Sequence, residues 1–258
     1  MKRAGFVLLL LLCVFSTLKA QKKYAKIEQL TYNGYYNWGF IWMRAGVVDF
    51  HVRDSEKYPG ATAVEAVGSS LPSWDWVFRL RDTLTCHFDA TTCLPYESAR
   101  KAHEGNYHKT FDYVFDYSHD RILARIERIG RYVRHDTIAL KPNTHDMLSI
   151  VWLVREVDYD SYKTGDTIPI KLLIDDEIFD LYIRYHGLDS LKVDKKKREC
   201  YVFSPLLVEG EVFKKGENMK IWLSRDEDRL PLMVEAKIIV GSVKGILDVS
   251  KSIYKKTK

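Results

Sequence analysis

The sequence predicts a mainly β protein: one large curled antiparallel sheet, a half-barrel built as a meander, with one main helix at about residues 144–157 packed on its concave side. Three observations carry this. Apolar and polar residues alternate with period two through most of the chain, the alternating segments follow one another through short turns, and a single stretch, Pro142 to Val157, switches to a helical period.

Residues 1–20 read as a secretory signal peptide: Lys2 and Arg3 form a basic head, Phe6 to Phe15 an apolar run, and Ala20 a small residue before Gln21. The run is too short to anchor the chain across a bilayer. Lipidation at Cys13 is not expected, because Leu12 is too large for a lipobox and Cys13 lies inside the apolar run. Of the 40 basic residues, Lys2, Arg3 and Lys19 leave with the leader, so 37 face 35 acidic ones. That near-neutral balance gives no footprint for nucleic acid, and Lys195 to Arg198 reads as a solvated turn. Residues 21–258 are expected to form a single β-rich domain, since no linker-like composition divides them.

Two early stretches break the alternation. Tyr35 to Met43 is apolar on both faces, and Leu71 to Phe78 places two tryptophans beside a turn. Large aromatics in a β protein are commonly core, and Gly39 and Gly46 allow strand bends. The functional reading makes Trp38, Trp42, Trp74 and Trp76, together with Trp152 of the helix, candidate ligand-binding aromatics lining a groove or the mouth of a cavity.

Phe78 to Phe88 alternates Phe78, Leu80, Asp82, Leu84, Cys86 and Phe88 with Arg79, Arg81, Thr83, Thr85 and His87, a strand with one wet face. Cys86 and Cys93 flank a hairpin turn at 89–92. They are placed to bridge in an oxidising compartment, or Cys86 is a buried thiol continuing the apolar face. Tyr107 to Tyr117 sets Phe111, Tyr113, Phe115 and Tyr117 against His108, Thr110, Asp112 and Asp116. In the helix, Asn143 or Thr144 is the expected N-cap, Asp146 suits the first turn, and Leu148, Val151, Trp152 and Val154 form the packing face. Ile168 to Ile174 and Phe179 to Tyr185 make a further hairpin around Asp175 and Asp176.

No motif assigns catalysis, a metal or a cofactor. His103 and His108 stand five apart across a glycine turn, whereas a helical zinc pair needs four. Asp112, Asp116 and Asp120 lack a calcium loop's pattern, and Arg225 to Arg229 reads as a charged hairpin tip with calcium as the lesser alternative. Nucleophile elbows and phosphate-binding glycine loops are absent from the sequence.

Leu30 to Asn33, Tyr36 to Trp42, Ala45-Gly46, the helix start His145 to Ser149 with Leu153 to Arg155, Gly165, and Ile221 to Pro231 together resemble the exported bacterial domain-of-unknown-function family 3108. The pattern Asp-x-Leu-Ser at the helix start is kept, with Met147 in the variable place. The resemblance implies a curled antiparallel half-barrel similar to periplasmic lipoprotein carriers, and it supplies no catalytic residues. The expectation is therefore an exported, non-catalytic binding protein of the Gram-negative periplasm or outer envelope, taking an apolar or amphipathic ligand such as a lipid or lipidated protein. The alternatives are an envelope assembly or scaffold factor that binds protein or glycan, and, third, an envelope hydrolase.

Overall fold

The computed structural model describes residues 27–38, 41–77, 79–105, 107–209 and 215–254, without the side chain of Trp38. The leader at 1–20, Cys13, Gly39 and Phe78 lie outside the described residues. Among the described residues fifteen strands form one sheet: β1 (Ile27–Trp38), β2 (Ile41–Asp54), β3 (Ala61–Ser70), β4 (Arg81–Asp89), β5 (Pro95–Glu104), β6 (Tyr107–Asp116), β7 (Arg121–Arg128), β8 (Tyr132–Ala139), β9 (Thr144–His145), β10 (Thr167–Ile174), β11 (Glu177–Val193), β12 (Lys196–Pro205), β13 (Met219–Ser224), β14 (Pro231–Lys237) and β15 (Ser242–Leu247). One α-helix, α1 (Ser149–Glu156), is present among the described residues.

Two antiparallel meanders make this sheet. From β1 to β8 each strand pairs with the next, and the segment holding β9 and α1 then crosses to the far flank. Strands β10 to β15 walk back until β15 pairs with β1, Tyr32 opposite Leu247. The sheet curls but does not close. Inward residues of β6 and β7, among them Phe111 and Ile122, pack with Leu173 and Ile178 of the opposite flank. Tyr113 donates its hydroxyl hydrogen to the Asp175 carbonyl, and Arg134 pairs with Asp176 across the same seam.

Period two explains which side faces in. Cys86 and Phe88 on β4, Phe111 and Phe115 on β6, and Ile122 and Ile126 on β7 are all buried, and their neighbours in sequence face out. Irregularities fall where backbones crowd. At Gly187 the β11–β12 register shifts, φ is +90°, and a Cβ would lie 2.7 Å from Thr164 Oγ1, so glycine is required there.

The helix begins later than the sequence suggests. Thr144 and His145 pair in parallel with Lys171 and Leu172 of β10, so backbone groups assigned to the first helical turn serve the sheet instead. Neither Asn143 nor Thr144 is the cap: Asn143 turns the chain at φ +60°. Asp146 supplies the cap. Its Oδ1 accepts the Ser149 N–H at 2.9 Å while Ser149 Oγ accepts the Asp146 N–H at 3.1 Å, a reciprocal box buried beneath the sheet. The Asp-x-Leu-Ser pattern thus encodes two caps with one core residue, Leu148, between them.

The eight-residue helix fills the concavity. Leu148 and Trp152 pack with Val52, Val64, Cys86 and Phe88 of the first meander, and Val154 joins Ile168, Ile183 and Phe203 of the second. Below it Tyr159 is fully buried, its ring nearly parallel to that of Phe203 at 5.5 Å and its hydroxyl donating to the Val154 carbonyl at 3.1 Å. Between the start of the helix and strands β4, β5, β6 and β10 a space of about 20 Å³ remains, room for about one water.

The charged stretch 225–229 clasps the helix from outside. Arg229 donates to the Val157 carbonyl at 2.5 Å and lies over the Tyr201 ring, while Arg225 joins Asp160 and Glu199. Asp226 accepts the N–H groups of Asp228 and Arg229, which orders the turn.

Candidate functional site

Three connections meet at one end of the sheet. The β1–β2 hairpin, with Trp38 opposite Ile41, lies beside the β14–β15 turn because Asn37 pairs with Ser242. The segment after β3 folds onto the same end, the Leu71 N–H donating to the Ala45 carbonyl at 2.8 Å. Tyr36 ties all three together: its hydroxyl donates to the Val240 carbonyl at 3.2 Å and its ring meets Trp74 edge-on at 6.1 Å.

Local chemistry shapes this end. Pro72 opens a 3-10 turn over Pro72–Trp74. Asp75 then binds Arg81 at 2.7 Å and Ser70 at 2.5 Å, and the Arg81 guanidinium holds its carboxyl below the usual carboxylate range. At the neighbouring turn Gly241 has φ +82° and would place a Cβ 2.7 Å from the Asn37 carbonyl oxygen, so only glycine fits.

On this frame the apolar residues point outward. Trp76 is 85% exposed and its indole N–H is already bound to the Ser73 carbonyl at 2.9 Å, which leaves an apolar ring facing solvent. Ile41 and Val240 are exposed to 65% and 69%, and Val77 and Ile239 are also exposed. Trp42 lies under the Lys244 ammonium, 4.3 Å from its ring centre.

The five tryptophans named from sequence therefore separate. Trp42, Trp74 and Trp76 share the aromatic end, Trp38 is there by its backbone, and Trp152 is 1% exposed in the core, against Phe88 and Phe50. Sequence reading missed Ile239 and Val240; their signal was an apolar run placed at a glycine turn rather than in a strand. Elsewhere, the rings of His103 and His108 meet edge-on at 5.0 Å across β5 and β6. Among the described residues no group of three or more His, Cys, Asp or Glu is placed to hold a metal ion, and no helix is long and apolar enough to cross a membrane. Cys86, Cys93 and Cys200 are free and buried.

Comparison with known proteins agrees with this architecture. A family model described as "Protein of unknown function (DUF3108)" matches residues 31–248. No protein of curated function matches. Among solved structures, a crystal structure of a beta-barrel-like protein of domain of unknown function DUF1849 from Brucella abortus superposes with a TM-score of 0.59 at 10% identity, over 90% of this chain and 99% of that one. At that identity the likeness is one of fold.

Proposed function

Because the chain belongs to the DUF3108 family, whose description names no activity, we propose a function from its surface: an exported, non-catalytic binding protein that seats its aromatic end on an amphipathic lipid surface of the bacterial envelope. The observation that carries this reading is the group Ile41, Trp42, Trp76, Val77, Ile239 and Val240, all exposed on neighbouring segments at one end of the sheet. Contiguous exposed apolar surface marks a contact site. Tryptophan beside lysine suits the headgroup region, where the indole settles at the interface and the ammonium reaches anionic headgroups; Lys244 over Trp42 has that geometry. Filling of the concave side by Trp152 and Tyr159 favours contact at a surface over enclosure of an acyl chain. The leader read at 1–20 supports export, with the periplasm or outer envelope of a Gram-negative cell as the place of action.

Flotation with vesicles of phosphatidylethanolamine and phosphatidylglycerol tests this reading. The protein is expected to float with the vesicles, and Trp42→Ser with Trp76→Ser to abolish flotation without changing the melting temperature. A protein that stays in the dense fraction, or a double variant that still floats, overturns it; in the first case a lipidated or other protein partner becomes the better occupant of the aromatic end.

A further inference from the structure

On the side of the sheet away from the helix, strands β4 to β8 carry a second concavity. A twisted sheet is saddle-shaped, so its outer face is hollow along one diagonal. Here the hollow is an open groove of about 530 Å³, within the usual size of a ligand site. Strand register sets its lining. One row crosses the strands as His87, Glu97, Val114, Leu123 and Thr137, and the next as Thr85, Ala99, Asp112, Arg125 and His135. With strands about 4.8 Å apart, each row runs about 19 Å.

The floor is apolar and open: Val114 and Leu123 stand directly opposite one another and are exposed to 46% and 41%. Held polar groups surround it. Arg125 binds Asp112 at 3.2 Å and Glu127 at 2.6 Å. His87 Nδ1 lies 2.7 Å from Ser55 Oγ, and Glu97 is fixed by Lys57 and by the Tyr58 hydroxyl at 3.0 Å. Side chains fixed by their neighbours are already arranged for a ligand.

We propose that this groove binds a neutral oligosaccharide lying across the strands, at a site separate from the aromatic end. A sugar ring offers a C–H face for Val114 and Leu123 and a rim of hydroxyls that donate to Glu97 and Asp112 and accept from Arg125 and the histidines. An anionic chain meets the carboxylates of Glu97 and Asp112, and a cationic one meets Arg125 and Lys57. A peptide strand would need free backbone groups, and those of β5 to β7 are taken up on both sides by the sheet.

The test is isothermal titration calorimetry of the protein with cellotetraose, maltotetraose and chitotetraose, and with tetragalacturonate as the acidic comparison. At least one neutral tetramer is expected to bind with a Kd below about 1 mM, and Leu123→Arg and Asp112→Asn each to weaken it at least about tenfold. Asp112→Asn keeps size and shape, so it carries the test if Leu123→Arg disturbs folding. Trp76→Ser is expected to leave sugar binding intact, and Leu123→Arg to leave flotation intact, which separates this site from the lipid reading. Absence of binding by all three neutral tetramers, equal binding of the acidic one, or full affinity in Asp112→Asn overturns the assignment.

Discussion

Arg155 at the end of α1 and Glu28 on β1 form a two-bonded ion pair, at 2.8 and 2.9 Å, with side chains only 3% and 5% exposed. The same guanidinium donates to the Asp228 carbonyl at 2.9 Å and lies over the Trp152 ring. One side chain thus joins the helix, the first strand and the charged turn. In a buried pair, desolvation offsets much of the attraction, so the pair fixes how the helix sits more than it adds net stability.

Removing one partner leaves a buried charge uncompensated. Glu28→Ala is expected to cost about 3–5 kcal/mol in urea unfolding, whereas Glu28→Leu combined with Arg155→Met is expected to cost less than Glu28→Ala alone. Additive losses in the double variant would show that the two charges are not coupled.

Trp152 and Trp76 are expected to differ most among the tryptophans. Trp152→Ala opens a hole between Phe50, Phe88 and Leu148 and is expected to lose about 3–5 kcal/mol. Trp76→Ala removes a ring that is 85% exposed and is expected to stay within about 0.5 kcal/mol. Thermal melts of the two variants check this. A large loss at Trp76 would mean that its ring supports the turn rather than facing a partner.

The sheet was legible because period two is a local signal: β6 and β10 run as the alternation of Phe111, Tyr113 and Phe115 and of Ile168 and Ile170 implies. The helix was legible as a packing face, but its start was not. Three polar residues, Asn143, Thr144 and Asp146, compete for the cap, and only the parallel pairing of Thr144 with Lys171 decides among them. Glu28 could not be named as the partner of Arg155, because 127 residues separate them and a lone Glu in a strand looks solvated. The outer groove left one trace. Val114 is an apolar residue on a face otherwise read as wet, and its meeting with Leu123 depends on the β6–β7 register. The exposure of Trp42 and Trp76 was not readable either, since an aromatic run in a β protein looks the same in a core and on a rim.

The three described thiols are expected to be inert in the native protein. Burial pushes Cys93 up to about 12 and Cys200 up to about 11, and it raises Cys86 as well, with the Asp146 carboxylate, which accepts the Cys86 thiol at 3.1 Å, adding to the shift. Only the thiolate attacks a disulfide reagent. Ellman's reagent at neutral pH is therefore expected to label these cysteines only after guanidinium is added. Fast labelling of one thiol in the native state would show that its pocket opens.

Stability is expected to fall as solutions become mildly acidic, and His145 is the most buried of the histidines that cause it. Its side chain is 3% exposed and Nδ1 donates to the Cys93 carbonyl at 3.0 Å. Burial holds its pKa below the ordinary value, against the smaller opposing effects of that hydrogen bond and of Asp146. The sign follows directly: the unfolded chain takes up a proton near pH 6.5 while the folded one still resists, so stability is full above about 6.5 and declines as pH drops toward the folded pKa. His87 and His186 are shifted the same way by burial and add to the slope. Urea midpoints measured from pH 8 down to pH 5 are expected to be level at first and then to fall. His145→Asn, whose amide can still donate to the Cys93 carbonyl, is expected to be less stable at pH 8 but to lose less between pH 6.5 and 5. An unchanged slope in that variant would move the effect to His87 and His186.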